Sequence, residues 1–184
     1  MRLIEKVLES EKIFSGRIVN LRIDKVLLPD GTCGAREVVE HKGAVGIVAL
    51  DENLDLFLVR QYRIPANEIL LEIPAGRLEM GEDPLQAAKR ELEEEAGSIA
   101  GIWEEVFSFY SSPGFCNEKL TLFLASELST GKPNRDKDEF LEPIKLSLTI
   151  AYDYVKQGKI IDAKSIIGIQ YAYQRFYLHS KRAM

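Results

Sequence analysis

The sequence predicts an α/β fold preceded by a small antiparallel β-sheet. Three observations carry that expectation. Residues 13–28, IFSGRIVNLRIDKVLL, alternate apolar and polar side chains and run into the turn Pro29-Asp30-Gly31. Two apolar runs of strand length, 44–50 and 56–62, occupy the middle of the chain. A helix then opens at Asp83-Pro84, with Leu85, Ala88 and Leu92 along one stripe.

Taken in order, Ile18, Leu21, Ile23 and Val26 are the apolar members of the first strand pattern, and 35–41 reads as its return strand. The run AVGIVAL at 44–50, the polar turn 51–54 and the strand 56–62 are expected to form a hairpin. A short strand at 69–73 is interrupted by Pro74-Ala75-Gly76. Asp83 is a good N-cap, Pro84 suits the first helical position, and Gly97 should end the helix. Residues 103–110 and 120–128 read as further strands. The stretch 129–139, STGKPNRDKDE, is polar and carries Gly and Pro, so it reads as a loop. A last strand at 144–148 and helices at about 147–157 and 163–180 complete the chain.

Composition bounds the function. The 184 residues are 46% hydrophobic and 29% charged, which suits a globular chain and excludes a disordered one. A net charge of −5 gives no footprint for nucleic acid, and repels a polyanionic ligand unless cations intervene. Two cysteines without a CxxC exclude a zinc ribbon and a disulfide scaffold, so a reduced, cytoplasmic compartment is the default. The N-terminal MRLIEKVLESEK lacks the apolar region of a signal peptide. No apolar run approaches the ~20 residues that span a bilayer.

The helix breaks a local rule. Glu93, Glu94 and Glu95 crowd its last turn, where the helix dipole disfavours carboxylates by roughly 0.3–1 kcal/mol each. Glu91, Glu94 and Glu95 share one face by i+3 and i+4 spacing. A solvated charged face is the plain reading of that pattern. The loop in front adds carbonyl oxygens at Pro74-Ala75 and the glycines Gly76 and Gly81. Several carboxylates with a carbonyl form the hard oxygen set that Mg²⁺ or Mn²⁺ accepts. A divalent cation would cancel both the mutual repulsion and the clash with the dipole.

The stretch from Gly76 to Gly97, GRLEMGEDPLQAAKRELEEEAG, resembles the Nudix box, G-x5-E-x7-R-E-U-x-E-E-x-G-U, in which U is bulky and apolar. Gly76, Glu82, Arg90, Glu91, Leu92, Glu94, Glu95 and Gly97 stand in register; Ser98 departs from the final U. Chance agreement at this level is on the order of one in a million. The resemblance implies an α/β/α sandwich with a mixed sheet over residues 42–184, behind an N-terminal antiparallel extension at 1–41. It implies hydrolysis of a nucleoside diphosphate linked to another group, with two or three Mg²⁺ ions (or Mn²⁺) as cofactor. Glu91 and Glu95 would be the main ligands, with Glu94 and the Ala75 carbonyl. Arg90 would orient the glutamates and Glu82 would support them from behind.

VRQYR (59–63), LEIPAG (71–76), SPGFCNE (112–118) and Pro113 beyond the box are all similar to ADP-ribose pyrophosphatases, as are FSGRIVNLRIDKVLLPDG and REVVEHKGAV near the N-terminus. That resemblance implies cleavage of ADP-ribose to AMP and ribose 5-phosphate, and a homodimer built with the N-terminal sheet. It assigns Arg63 to a phosphate and Glu72 to ribose hydroxyls or the adenine amine, with Arg60 and Glu118 as further substrate contacts. The general base falls on the loop after the box: Glu139, with Glu142 or Asp138 as alternatives. GDP-mannose, FAD or NADH as substrate, and a non-catalytic ADP-ribose sensor, are the competing readings. His41 is expected to be structural, Cys116 not to be a nucleophile, and the aromatic residues of the last helix to pack.

Overall fold

The computed structural model describes residues 3–132 and 140–178. The chain divides into two compact units: 1–43 with 109–120, and 44–108 with 121–184.

The first unit is built on strands β1 (Lys6–Ser15), β2 (Asn20–Leu27) and β3 (Cys33–Glu40), antiparallel in the order β1-β2-β3. The alternation over 13–28 does not mark one strand. The chain turns between Gly16 and Val19, whose backbones bond at 2.9 Å, and the charged segment before it is itself a strand. The β2–β3 turn is as expected: Gly31 takes φ +88°, and Asp30 Oδ1 accepts from the Thr32 N–H at 2.9 Å. Every residue of β1 is exposed. Asp24, buried on β2, accepts from Ser10 Oγ at 2.6 Å and Arg22 Nε at 2.9 Å, which ties β1 to β2 by side chains as well as backbone. The segment after Pro113 adds itself to β3 through Val39 N–H to Phe115 O, 2.7 Å.

The second unit is the α/β/α arrangement. Strand β4 (Ala44–Ala49) is buried at all six positions, as a continuous apolar run requires. It lies in a four-stranded sheet, β7-β4-β9-β8, with β7 (Ala75–Arg77), β8 (Ser98–Tyr110) and β9 (Lys119–Thr130). A second sheet, β10-β5-β6, holds β5 (Asp55–Arg63), β6 (Glu68–Glu72) and β10 (Leu141–Ser147). The hairpin expected between 44–50 and 56–62 is therefore not formed. The turn at 51–54 is present, but beyond the Leu50–Leu56 bridge the strands part, because β7 and β9 take both edges of β4 while β6 and β10 take those of β5.

Helix α1 (Pro84–Ala96) packs on one face of β4, with Ala87, Ala88 and Leu92 against Val45, Ile47, Ala49 and Phe123. Burying Leu92 alone stabilises by roughly 1.5–3 kcal/mol. Asp83 caps the helix by accepting from the Leu85 and Gln86 N–H groups at 3.0 and 3.2 Å, a contribution of about 1 kcal/mol. Gly97 ends it in the left-handed conformation, φ +62°. Helix α3 (Ala163–Tyr173) covers the other face of β4. Gly168 is required there, since a Cβ would stand 2.7 Å from Val48 Cγ2. Helix α2 (Leu148–Lys156) packs beside α3, where Tyr152 and Tyr173 stack with centroids 3.8 Å apart, so that part of the aromatic stretch does pack.

Candidate active site

The acidic face of α1 is organised by one guanidinium. Arg90 Nε donates to Glu82 Oε1 at 3.0 Å and Nη2 to Glu82 Oε2 at 3.1 Å. Its Nη1 donates to Glu91 Oε1 at 2.7 Å and to Glu94 Oε2 at 3.1 Å, and Nη2 also reaches the Arg77 carbonyl at 3.3 Å. The hydrogen bond to Glu82 is the largest cause that raises the Arg90 pKa above its already high ordinary value, and the same contact lowers that of Glu82. Arg90 thus ties the loop before the helix to the acids at its end. The last turn of the helix itself contains no basic residue.

Strand β7 supplies the opposite wall. It pairs with β4 through Ala75–Gly46, Gly76–Val45 and Arg77–Ala44; the chain is interrupted at Ile73-Pro74, as expected, and resumes at Ala75 as a short strand of the other sheet. Ala75 N–H donates to Glu95 Oε2 at 3.0 Å. Gly76 has no side chain because the Glu91 carboxylate occupies that space: a Cβ would lie 1.8 Å from Glu91 Oε1. Glu91 and Glu95 are 8% and 3% exposed, unusual for acids and costly unless they are compensated. Among the described residues, no three His, Cys, Asp or Glu side chains converge on one point, and Arg90 Nη1 sits between Glu91 and Glu94. Ser98, the departure from the motif, is buried as the first residue of β8, and β9 runs through Ser129 and Thr130, where the polar composition predicts a loop.

Arg63 and Glu72 meet each other. Their pair is bidentate, Nε to Oε1 at 2.8 Å and Nη2 to Oε2 at 2.9 Å, across β5 and β6. Lys164 from α3 also bonds Glu72 Oε2, and it bonds Asp162 at 2.9 Å. Asp162 caps α3 through the Ser165 N–H at 3.0 Å, and Ser165 Oγ accepts from the Ile73 N–H at 2.8 Å. Burial pushes the Glu72 pKa up, but Arg63 and Lys164 together outweigh it and hold it below the usual carboxylate range. Arg63 also feels the charge of Glu95, which links this network to the acidic face of α1. Lys164 was missed in the sequence. Its signal mirrors that of the glutamates: a cation in the first turn of a helix, against the dipole.

Arg60 and Glu142 stand opposite each other in β5 and β10, 3.3 Å apart, on the face of that sheet away from Arg63 and Glu72. Glu118 belongs to the first unit, where its Oε1 lies 3.4 Å from His41 Nδ1, which accepts from the Gly43 N–H at 3.1 Å. Glu139 and Asp138 lie outside the described residues.

Residues 40–162 match the NUDIX domain, and residues 5–39 match the nucleoside diphosphate sugar hydrolase N-terminal domain. The chain is 45% identical over 170 residues to a methanol dehydrogenase activator of Bacillus methanolicus, covering 91% of each chain. It is 42% identical over 169 residues to an ADP-ribose pyrophosphatase of Bacillus subtilis, again 91% of each. A crystal structure of an ADP compounds hydrolase superposes with a TM-score of 0.83 at 21% identity, over 96% of this chain and 95% of that one, a likeness of fold.

Proposed function

The chain belongs to the Nudix family, and from that premise we propose that it hydrolyses the diphosphate linkage of ADP-ribose to AMP and ribose 5-phosphate. The observation that carries the reading is the carboxylate face of α1, clamped by Arg90 and laid against the bare backbone of Gly76. The substrate follows from the ADP-ribose pyrophosphatase that the chain matches at 42% identity.

The donor set fits a hard divalent cation. Two carboxylates nine-tenths buried, a third beside them and the backbone of a glycine-relieved strand are oxygen donors that Mg²⁺ accepts, with Mn²⁺ in its place. Glu91, Glu95, Glu94 and the Ala75 carbonyl would hold two or three such ions. Bound there, they would neutralise the diphosphate and lower the pKa of the attacking water. Arg90 keeps the glutamates oriented, and Glu82 keeps Arg90 in place. Arg63 takes a phosphate oxygen, exchanging one oxyanion partner for another. Glu72, still held by Lys164, accepts from a ribose hydroxyl or the adenine amine. Arg60 and Glu118 are the outlying members of the proposed set. Glu139 accepts the proton of the attacking water. Glu142, paired with Arg60 at 3.3 Å, and Asp138 are the alternatives for that role.

A homodimer fits the wholly exposed β1 with its apolar Val7, Leu8, Ile13 and Phe14. A cytoplasmic location fits the free cysteines Cys33 and Cys116, and no helix among the described residues is long and apolar enough to cross a membrane.

Phosphate-coupled turnover on ADP-ribose, GDP-mannose, NADH and a nucleoside triphosphate, with and without Mg²⁺, tests the reading. Mg²⁺-dependent cleavage led by ADP-ribose is expected, and Glu95→Gln should lower it by roughly 10–100-fold or more with the fold intact, since losing even an outer-shell partner of a metal costs that much. Full activity in that variant removes the metal assignment. Tight ADP-ribose binding without cleavage would identify a sensor instead. Glu139→Gln should lower kcat far more than it weakens binding; if Glu142→Gln does so, the base has been assigned to the wrong carboxylate.

A further inference from the structure

Among the described residues, one buried side-chain oxygen or nitrogen has no hydrogen-bond partner, Gln61 Oε1. A buried acceptor left without a donor bears the full cost of its desolvation. Neither in-register partner of Gln61 has a side chain that could donate to it. Gln61 pairs with Leu70 on β6 and Leu141 on β10, so an apolar side chain would sit between two leucines at no such cost.

The register fixes where the amide faces. Strand β5 pairs with β6 without a bulge from Val59 to Arg63, so side chains two apart share a face. Arg63 and Glu72 touch on that face, and Arg63 feels Glu95 across to α1. Gln61 therefore lies one side-chain row, about 7 Å, from Arg63 on the site side of the sheet. A group that occupies the Arg63 position as a phosphate would bring its attached sugar past Gln61.

We propose that Gln61 is a specificity-determining residue whose amide oxygen accepts a hydrogen bond from a sugar hydroxyl of the bound nucleoside diphosphate derivative. The orphaned acceptor is satisfied by the ligand. The site keeps an unfavourable group in the free protein so that a ligand offering the donor is bound in preference to one without it. The proposal rests on the assignment of this face as the substrate site.

The test is Gln61→Leu, with Gln61→Met as a second apolar variant, in the full-length chain with Mg²⁺. Three quantities are measured: the melting midpoint without ligand, KM and kcat for ADP-ribose, and the shift of the midpoint by the non-hydrolysable α,β-methylene analogue of ADP-ribose. The expected result is a midpoint equal to or above wild type, a KM raised roughly tenfold with kcat within about twofold, and a diminished analogue shift. An unchanged KM overturns the proposal. So does a fall of the midpoint in both variants, which makes Gln61 part of the frame. Failure of the functional reading is distinguishable, because it appears in the wild-type chain as neither cleavage of ADP-ribose nor a shift with the analogue.

Discussion

Arg90 spends all three of its nitrogens on the site. A guanidinium presents its donors in a rigid planar fork, so one residue can bind the loop acid Glu82 on one edge and the helix acids Glu91 and Glu94 on the other. Glu72 is the mirror case, one carboxylate shared by Arg63 and Lys164. Its lowered pKa makes a statement about stability. The contribution is complete above the unfolded value of about 4.3 and is lost as pH falls from there through the lower folded value. Chemical denaturation at pH 7, 4 and 3 should therefore show wild type losing more stability with acid than Glu72→Gln. Equal pH slopes for the two proteins would mean that the network does not favour the charged form.

At the scale of the element, β7 and α1 make the candidate site together. A three-residue strand pinned to β4 places bare backbone where the helix carboxylates need it, and α1 is held by its Asp83 cap and by Leu92 in the core. Gly76→Ala tests this arrangement. The new methyl group displaces the Glu91 carboxylate, and a misplacement of about 1 Å costs around a hundredfold in rate. We expect kcat to fall by about that factor while the melting midpoint moves little, since Glu91 is the far end of a flexible side chain. A variant with kcat within twofold of wild type would show that the packing of Glu91 on Gly76 does not matter to the chemistry.

At the scale of the whole molecule, the second unit closes its own core, with β4 covered by α1 on one face and α3 on the other. The N-terminal sheet has no such cover on β1, where all ten residues are exposed. An edge strand with unpaired backbone and apolar side chains is a template for association. Light scattering should give a solution mass near twice the 20.8 kDa of the chain, and Ile13→Glu should shift it toward the single-chain mass without loss of the fold. A wild-type chain that runs as a monomer at micromolar concentration removes the dimer from the proposed function.

Local rules determined most of the candidate site. Glu91, Glu94 and Glu95 at the wrong end of a helix dipole, the i+3 and i+4 spacing, the Asp83 cap and the Gly97 stop all depend on neighbours within a few residues, so they are legible in the chain itself. The tertiary structure decided what depends on distant partners. It separated β4 from β5, because sheet edges are shared out among strands far apart in sequence. It joined Lys164 to Glu72 across 92 residues and laid Glu91 on Gly76. It also left Gln61 between two leucines with an unsatisfied oxygen. Periodicity reports which face of an element is apolar; which side chain meets which is settled only when the elements pack.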